Sequence, residues 1–262
     1  MADDRPQLGA GIIALHDPHP GHEHDFNVWY EADHMLAAGT MAPWTIAGAR
    51  WVAPRALRDL RYPADGPFGP SDRGAYLMLF WIQAGRLADQ QAWVFDEMQK
   101  IAEQDRNFAQ RDAVTATTYD FVRSVERDVD GVPVVLALLR HYPGVVVVAA
   151  ERTPDTSLEA LGDWLMDDYF GGRMAGSPLP MAVAFTPRPK EPWWPAAAPE
   201  VEGVGDRLFV VCFTETDPAE VWDDHFAGLG KEIEAAGVGR VLLAAPFVPC
   251  VIGTDTHADQ LW

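Results

Sequence analysis

Residues 16–24 read HDPHPGHEH, which sets four of the chain's eight histidines beside an aspartate and a glutamate. A fifth histidine follows in DFNVWYEADH. Imidazoles at this density point to metal ligation or to proton transfer near neutral pH. Metal ligation needs converging side chains, and here two prolines and a glycine keep the backbone extended or turning, so neighbours fan out. Only His22 and His24, two apart, are spaced to act as a pair, so no metal site is expected. His16 stands apart: it ends the apolar run IIALH, where its side chain can lean towards whatever packs on that strand.

The following segment is better placed for chemistry. Phe26, Tyr30, Asp33, His34 and Ala37 fall on one face of a helix. Phe26 and Ala37 turn that face inward, so Tyr30 and His34 stand side by side at the edge of a core. A phenol beside an imidazole can donate to a developing oxyanion while the imidazole moves a proton. The same pair also reads as an ordinary core hydrogen bond. Asp33 either orients His34 or faces solvent. Trp44, after Pro43 at the turn into the next strand, could wall a pocket together with Trp29, Tyr76 and Phe80, although large aromatics first of all mean core.

The elements that carry these residues occur twice. FNVWYEADHMLAAGTMAPWTIAGARWVAPR, from Phe26, lies without gaps on LGDWLMDDYFGGRMAGSPLPMAVAFTPRPK, from Leu161, at a shift of 135. Trp29 falls on Trp164, Asp33 on Asp168, Pro43 on Pro178 and Pro54 on Pro189. Upstream, LGAGIIALH and GVVVVAAER read as strands rich in small and β-branched residues. A helix follows at about 24–37 and 156–170, with Asp25 the expected cap of the first and Thr156 or Ser157 of the second. Then come strands TIAGARWVA and PMAVAFTP, long loops 54–73 and 187–206, and strands GAYLMLFWIQ and RLFVVCFTET. Helices at 86–105 and 217–236 and strands AVTATTYDFV and RVLLAAPFV complete each half as β-α-β-β-α-β. The fold class is therefore α+β, with repeats at 1–126 and 145–262 and a connector at 127–144 whose VPVVLALL is either strand or helical turn. Strands such as VVVVAA are apolar on both faces, so the two sheets are expected to pack on each other. The long loops, with Tyr62, Phe68, Trp193 and Trp194, serve either as lids or as arms that clasp the other half.

Two copies of this order, with Trp29, Tyr30 and His34 on the first helix, resemble the dimeric α/β-barrel superfamily and most closely its EthD-like branch, whose helix carries a WY…H pattern. The resemblance implies a ferredoxin-like fold in each half, a single-chain pseudo-dimeric barrel, and a pocket between a sheet and its helices. The second half departs from the motif, with Leu165 for Tyr30 and Tyr169 for His34. The superfamily spans cyclases, isomerases, cofactor-free monooxygenases and haem enzymes, so it implies a small, mostly apolar ligand and little more.

The balance of 20 basic against 39 acidic residues, a net charge of −19, argues against nucleic acid and anionic membranes as partners. Cys212 and Cys250 lie in apolar runs without CxxC spacing and read as buried thiols. MADDRPQLGAG is unlike a signal peptide, and VVLALL and VVVVAA are too short to span a bilayer, so a cytoplasmic location is expected. No GxGxxG after a strand, GxxxxGK[ST], GxSxG or HExxH occurs. The reading is a cofactor-independent enzyme using proton transfer, as cyclase, isomerase, dehydratase or lyase, on a small, largely apolar carbonyl or aromatic compound. His34 would be base or acid, Tyr30 the oxyanion donor and His16 an auxiliary proton carrier. A homodimer is possible. The alternatives are a non-catalytic ligand-binding or assembly protein, and a haem protein with His34, His141 or His225 as axial ligand.

Overall fold

The computed structural model describes residues 5–192, 194 and 200–262. Eight strands close into one barrel: β1 Leu8–Pro18, β2 Thr45–Val52, β3 Tyr76–Gln83, β4 Arg111–Glu126, β5 Gly144–Arg152, β6 Met181–Pro187, β7 Arg207–Thr214 and β8 Gly239–Pro249. Their order around the barrel is β1-β3-β2-β8-β5-β7-β6-β4, and every neighbouring pair is antiparallel. Within residues 8–126 the order is β4-β1-β3-β2, and within residues 144–249 it is β8-β5-β7-β6, the same arrangement. The halves join where β2 meets β8 through Trp51 and Val52, and where β4 meets β6 through Tyr119–Glu126.

Alternation along the strands sorts the apolar residues into three layers. Ile13, Leu15, Leu77, Leu79 and Trp81 from the first half meet Val145, Val147, Phe209, Val211 and Phe213 from the second in the barrel lumen. The other faces of the strands carry helices. In the first half Phe26 and Tyr30 pack on Ala14, Tyr76, Met78 and Phe80; in the second Leu161, Leu165, Tyr169 and Phe170 pack on Val146, Val148, Val210 and Cys212. Both faces of the sheet are thus covered, as doubly apolar strands require.

The helices are α1 Glu23–Trp29, α2 Arg55–Arg58, α3 Leu87–Glu103, α4 Leu158–Asp163, α5 Gly172–Met174, α6 Trp222–His225 and α7 Leu229–Ala235. α1 runs on as π-helical turns over Tyr30–His34 and Leu36–Thr40, and α4 runs on likewise over Trp164–Gly171. Ser157 caps α4, its Oγ accepting from the Ala160 N–H at 3.0 Å. Asp25 does not cap α1: it lies inside the first turn, after His22, which makes no side-chain cap bond. The expected helix at 217–236 is interrupted between α6 and α7, and VVLALL of the connector forms a 3-10 turn, Val134–Leu139.

The long loops are arms. In residues 54–73, buried Arg61 donates to the carbonyls of Ser71, Arg73 and Gly74, which stiffens the loop from within. Tyr62 then exchanges backbone bonds with Ala244 of β8 and donates its hydroxyl to the Phe226 carbonyl, while Phe68 meets Phe209 edge-on. From the other half, the Trp194 indole donates to Gln91 of α3 at 3.0 Å. Trp193 lies outside the described residues.

Candidate functional site

His16 ends up on the helix side of β1, beneath α1, because Leu15 takes the lumen. Its ring centroid is 6.3 Å from those of Phe26 and Tyr30. Tyr30 and His34 are neighbours at 5.4 Å, so three of the residues read from the sequence as chemical come together. The π-helical turn adds a feature that 3.6-residue spacing does not foresee. A wider turn brings residues five apart into register, and Trp29 stacks on His34 with centroids 4.6 Å apart and planes 22° apart. Trp29 also stacks on Phe108 at 5.5 Å, and its indole donates to the Arg106 carbonyl at 2.7 Å.

A fourth member, Arg111, was not singled out from the sequence. Leu15 pairs with Thr115 but His16 with Ala113, so Val114 is an extra residue in β4. This bulge reverses the alternation of the strand before it. Thr115 and Thr117 lie opposite the lumen residues Leu15 and Ile13, whereas Arg111 turns to the helix layer with His16. There its Nη1 donates to His16 Nδ1 at 3.0 Å, and its guanidinium lies 4.9 Å from the Trp29 ring. A guanidinium only donates, so His16 accepts with Nδ1 and is neutral there.

The electrostatics agree with this geometry. Burial, reinforced by Arg111 and His34, pulls the pKa of His16 down to about 3. Burial and Arg111 pull that of His34 down to about 4, opposed by Asp33. Burial holds the Tyr30 phenol well above its usual value, so it stays protonated. His34 Nδ1 is buried without a hydrogen-bond partner. At the position 135 residues on, Trp164 and Tyr169 form a ring pair of the same spacing, at 5.3 Å, but the Tyr169 hydroxyl donates to the His225 carbonyl at 3.0 Å.

The remaining candidates divide. Tyr76 lies in the wall beneath α1, 5.2 Å from Phe26, under the buried guanidinium of Arg50, which pairs with Glu31 and Asn27. Phe80 fills the space under Gly39 and Gly48, where added β-carbons would come within 2.4 and 2.6 Å of its ring. Asp33 binds Arg106, with Nε to Oδ2 at 3.1 Å, and makes no hydrogen bond to His34. Trp44 stands elsewhere. It precedes β2 at the end nearest Gln83, stacked against Arg86 at 4.3 Å and 40% exposed, whereas His16, Tyr76 and Val52 mark the opposite strand ends. It does not wall the Tyr30–His34 cluster.

The rest of the histidine-rich stretch fans out over the surface. His19 meets Asp112 at 3.3 Å, His22 lies 4.0 Å from Asp25, and His24 meets Asp255 at 2.6 Å. Among the described residues no three histidine, cysteine or carboxylate side chains converge as a metal site would need. Three cavities stand out among the described residues. One, of about 590 Å³, opens beside the β4 residues 113–119 and is lined by Phe68, Phe95, Trp194, Phe209, Gln91 and Thr118 among others. A second, of about 410 Å³, lies by the connector, and a third, of about 300 Å³, lies between α1 and residues 252–255. His16, Tyr30 and His34 line none of the three. No helix among the described residues is long and apolar enough to cross a membrane.

No family model and no curated protein matches the chain. Solved structures do. An anthrone oxidase-like protein superposes with a TM-score of 0.56 at 10% identity, over 93% of this chain and 92% of that one. A "putative monooxygenase" of Fusobacterium nucleatum subsp. nucleatum gives 0.54 at 8% identity over 93% of each chain. A "putative chlorite dismutase" gives 0.53 at 8% identity, over 97% of this chain and all of the other. At such identities what is shared is architecture: the chain has the dimeric α/β-barrel fold.

Proposed function

We propose that the chain is a cofactor-independent enzyme of the EthD-like kind. In this reading it is a tandem of two ferredoxin-like repeats, 1–126 and 145–262, of which only the first keeps a working site. The repeat reading is supported by the shared strand order of the halves and by the π-helical turn at the same place in both. His34 acts as the base towards an acidic C–H of a small carbonyl or aromatic compound. Tyr30, held protonated, donates to the oxyanion that forms, and His16, neutral and held by Arg111, relays the proton. The observation that carries this reading is the contrast between His34, whose buried Nδ1 has no partner, and Tyr169, whose hydroxyl is satisfied. A buried polar atom left unpaired costs about 1–3 kcal/mol, a cost that a scaffold residue at that position avoids.

The described cavities offer haem no axial ligand from the candidates: His34, His141 and His225 line none of the three, and His141 stands exposed on the surface. The only histidine lining a described cavity is His24, in the smallest of the three. A second reading, a non-catalytic binder of a small aromatic molecule, is favoured by the 590 Å³ cavity, whose size and aromatic walls suit such a ligand.

The enzyme reading is tested by deuterium exchange. Enolisable aryl ketones, anthrone among them, are incubated in D2O with wild type and with His34→Gln. Exchange accelerated by wild type and lost in a variant of unchanged melting temperature supports the assignment. Equal exchange with both proteins points to the binding reading instead, and a large loss of stability with exchange intact makes His34 a core residue.

A further inference from the structure

Arg111 is out of keeping with the rest of this chain. Acidic side chains outnumber basic ones 39 to 20, and the guanidiniums of Arg50, Arg73, Arg106, Arg123, Arg127, Arg152, Arg173, Arg188, Arg207 and Arg240 all meet carboxylates. Arg58 and Arg61 are tied to backbone carbonyls instead. Among the described residues Arg111 has neither kind of partner: one bond to the neutral His16, a ring below it, and a buried Nε with nothing to donate to. Burial lowers its pKa, and no carboxylate lies near enough to oppose that; only the phenol of Tyr30 does. Half-buried positive charge is costly without a counter-ion.

We propose that Arg111 is the anchor for an anionic substrate group, and that the group is a planar carboxylate or enolate on an aromatic body. The inference rests on the proposed function of the same cluster and names its substrate class. Three features select the class. The guanidinium fork matches two coplanar oxygens. The guanidinium lies over Trp29, which packs with Phe108, Tyr30 and, through Phe108, Phe26, an aromatic surface that suits an aromatic body and offers nothing to a heavily hydrated dianion. The β4 bulge exists at this point and turns Arg111 to the side where His16, Tyr30 and His34 stand.

The placement also couples binding to catalysis. Arg111 is the main charged neighbour that weakens His34 as a base. An anion seated on Arg111 cancels that field, so His34 becomes more basic when substrate is bound and not before.

The probe is benzoate, with benzamide as its neutral counterpart and inorganic phosphate as the hydrated anion. Binding is read from the ring signals of His16 and His34 by NMR. Wild type is expected to bind benzoate, to bind benzamide and phosphate about tenfold more weakly or worse, and to show the His34 titration moved upward by benzoate. Arg111→Gln should lose about tenfold in benzoate affinity with benzamide unaffected, and Arg111→Lys should recover part of the loss. Equal binding of benzoate by wild type and Arg111→Gln, equal binding of benzamide or phosphate by wild type, or no benzoate binding at all would overturn the proposal. Wild type itself separates the two readings: benzoate binding without any exchange activity sinks the enzyme and leaves the anchor standing.

Discussion

Lowering the pH from 7 to 5 should destabilise this protein through two histidines, and the size of the effect follows from where they sit. His16 is 5% exposed and bonded as an acceptor to Arg111; its pKa falls to about 3, and that of His34 to about 4. In the unfolded chain both return to about 6.5. Each folded-state value lies below the unfolded one, so folding excludes a proton. The associated stability is complete above about pH 6.5 and is lost as the pH falls from there towards 3–4, at about 1.4 kcal/mol per unit for each group. Between pH 7 and 5 this comes to about 2 kcal/mol for His16 and somewhat less for half-buried His34. His225, lowered by burial, acts in the same sense, while exposed His24, raised by Asp255, acts in the opposite one. Single variants isolate the terms. Urea unfolding of wild type, His16→Asn and His34→Asn at pH 7, 6 and 5 should show each variant with a flatter pH dependence, by about one proton, whatever its absolute stability. A slope unchanged by His16→Asn would mean that His16 is protonated in the folded protein, and the neutral-relay argument would fail with it.

Three further outcomes test the packing around the site. Glu31→Gln should cost about 3–5 kcal/mol in chemical denaturation, since it leaves the buried Arg50 guanidinium without its carboxylate. Gly48→Ala should lower stability by about 1–3 kcal/mol, because the new methyl would meet Phe80 at 2.6 Å; a neutral result would show that Phe80 can move aside. Ser157→Ala should cost about 1 kcal/mol through the lost cap of α4, whereas Asp25→Ala should show no comparable capping loss.

Much of the fold was legible because its signals are local. VVVVAA and YLMLFW read as doubly covered strands from composition alone, and both are buried nearly throughout. The inward face of α1 followed from Phe26, Tyr30 and Ala37, all of them buried. What escaped has a common cause in departures from regular repeat. A 3.6-residue period cannot reveal a π-helical turn, so the Trp29–His34 stack went unseen. A period of two cannot reveal a bulge, so the alternation AVTATTYDFV starts β4 at Ala113 and omits Arg111. Trp44 was placed near the site by its turn, but strand order, which no local pattern carries, puts it at the other end of the barrel. The arms illustrate the reverse case. Of the two readings of the long loops, lid or arm, Tyr62 takes the arm, docking on β8.

The shared lumen bears on how the molecule can be taken apart. Neither half owns a closed interior: Trp51 faces Phe213, and Trp81 touches Phe185, across the boundary between them. A nick in the exposed turn at residues 128–131 should therefore leave a two-fragment complex that still melts in one transition. Either fragment made alone would present an open trough of leucine, valine and tryptophan to water, together with the unpaired rims of two strands, and would be recovered only by adding the other.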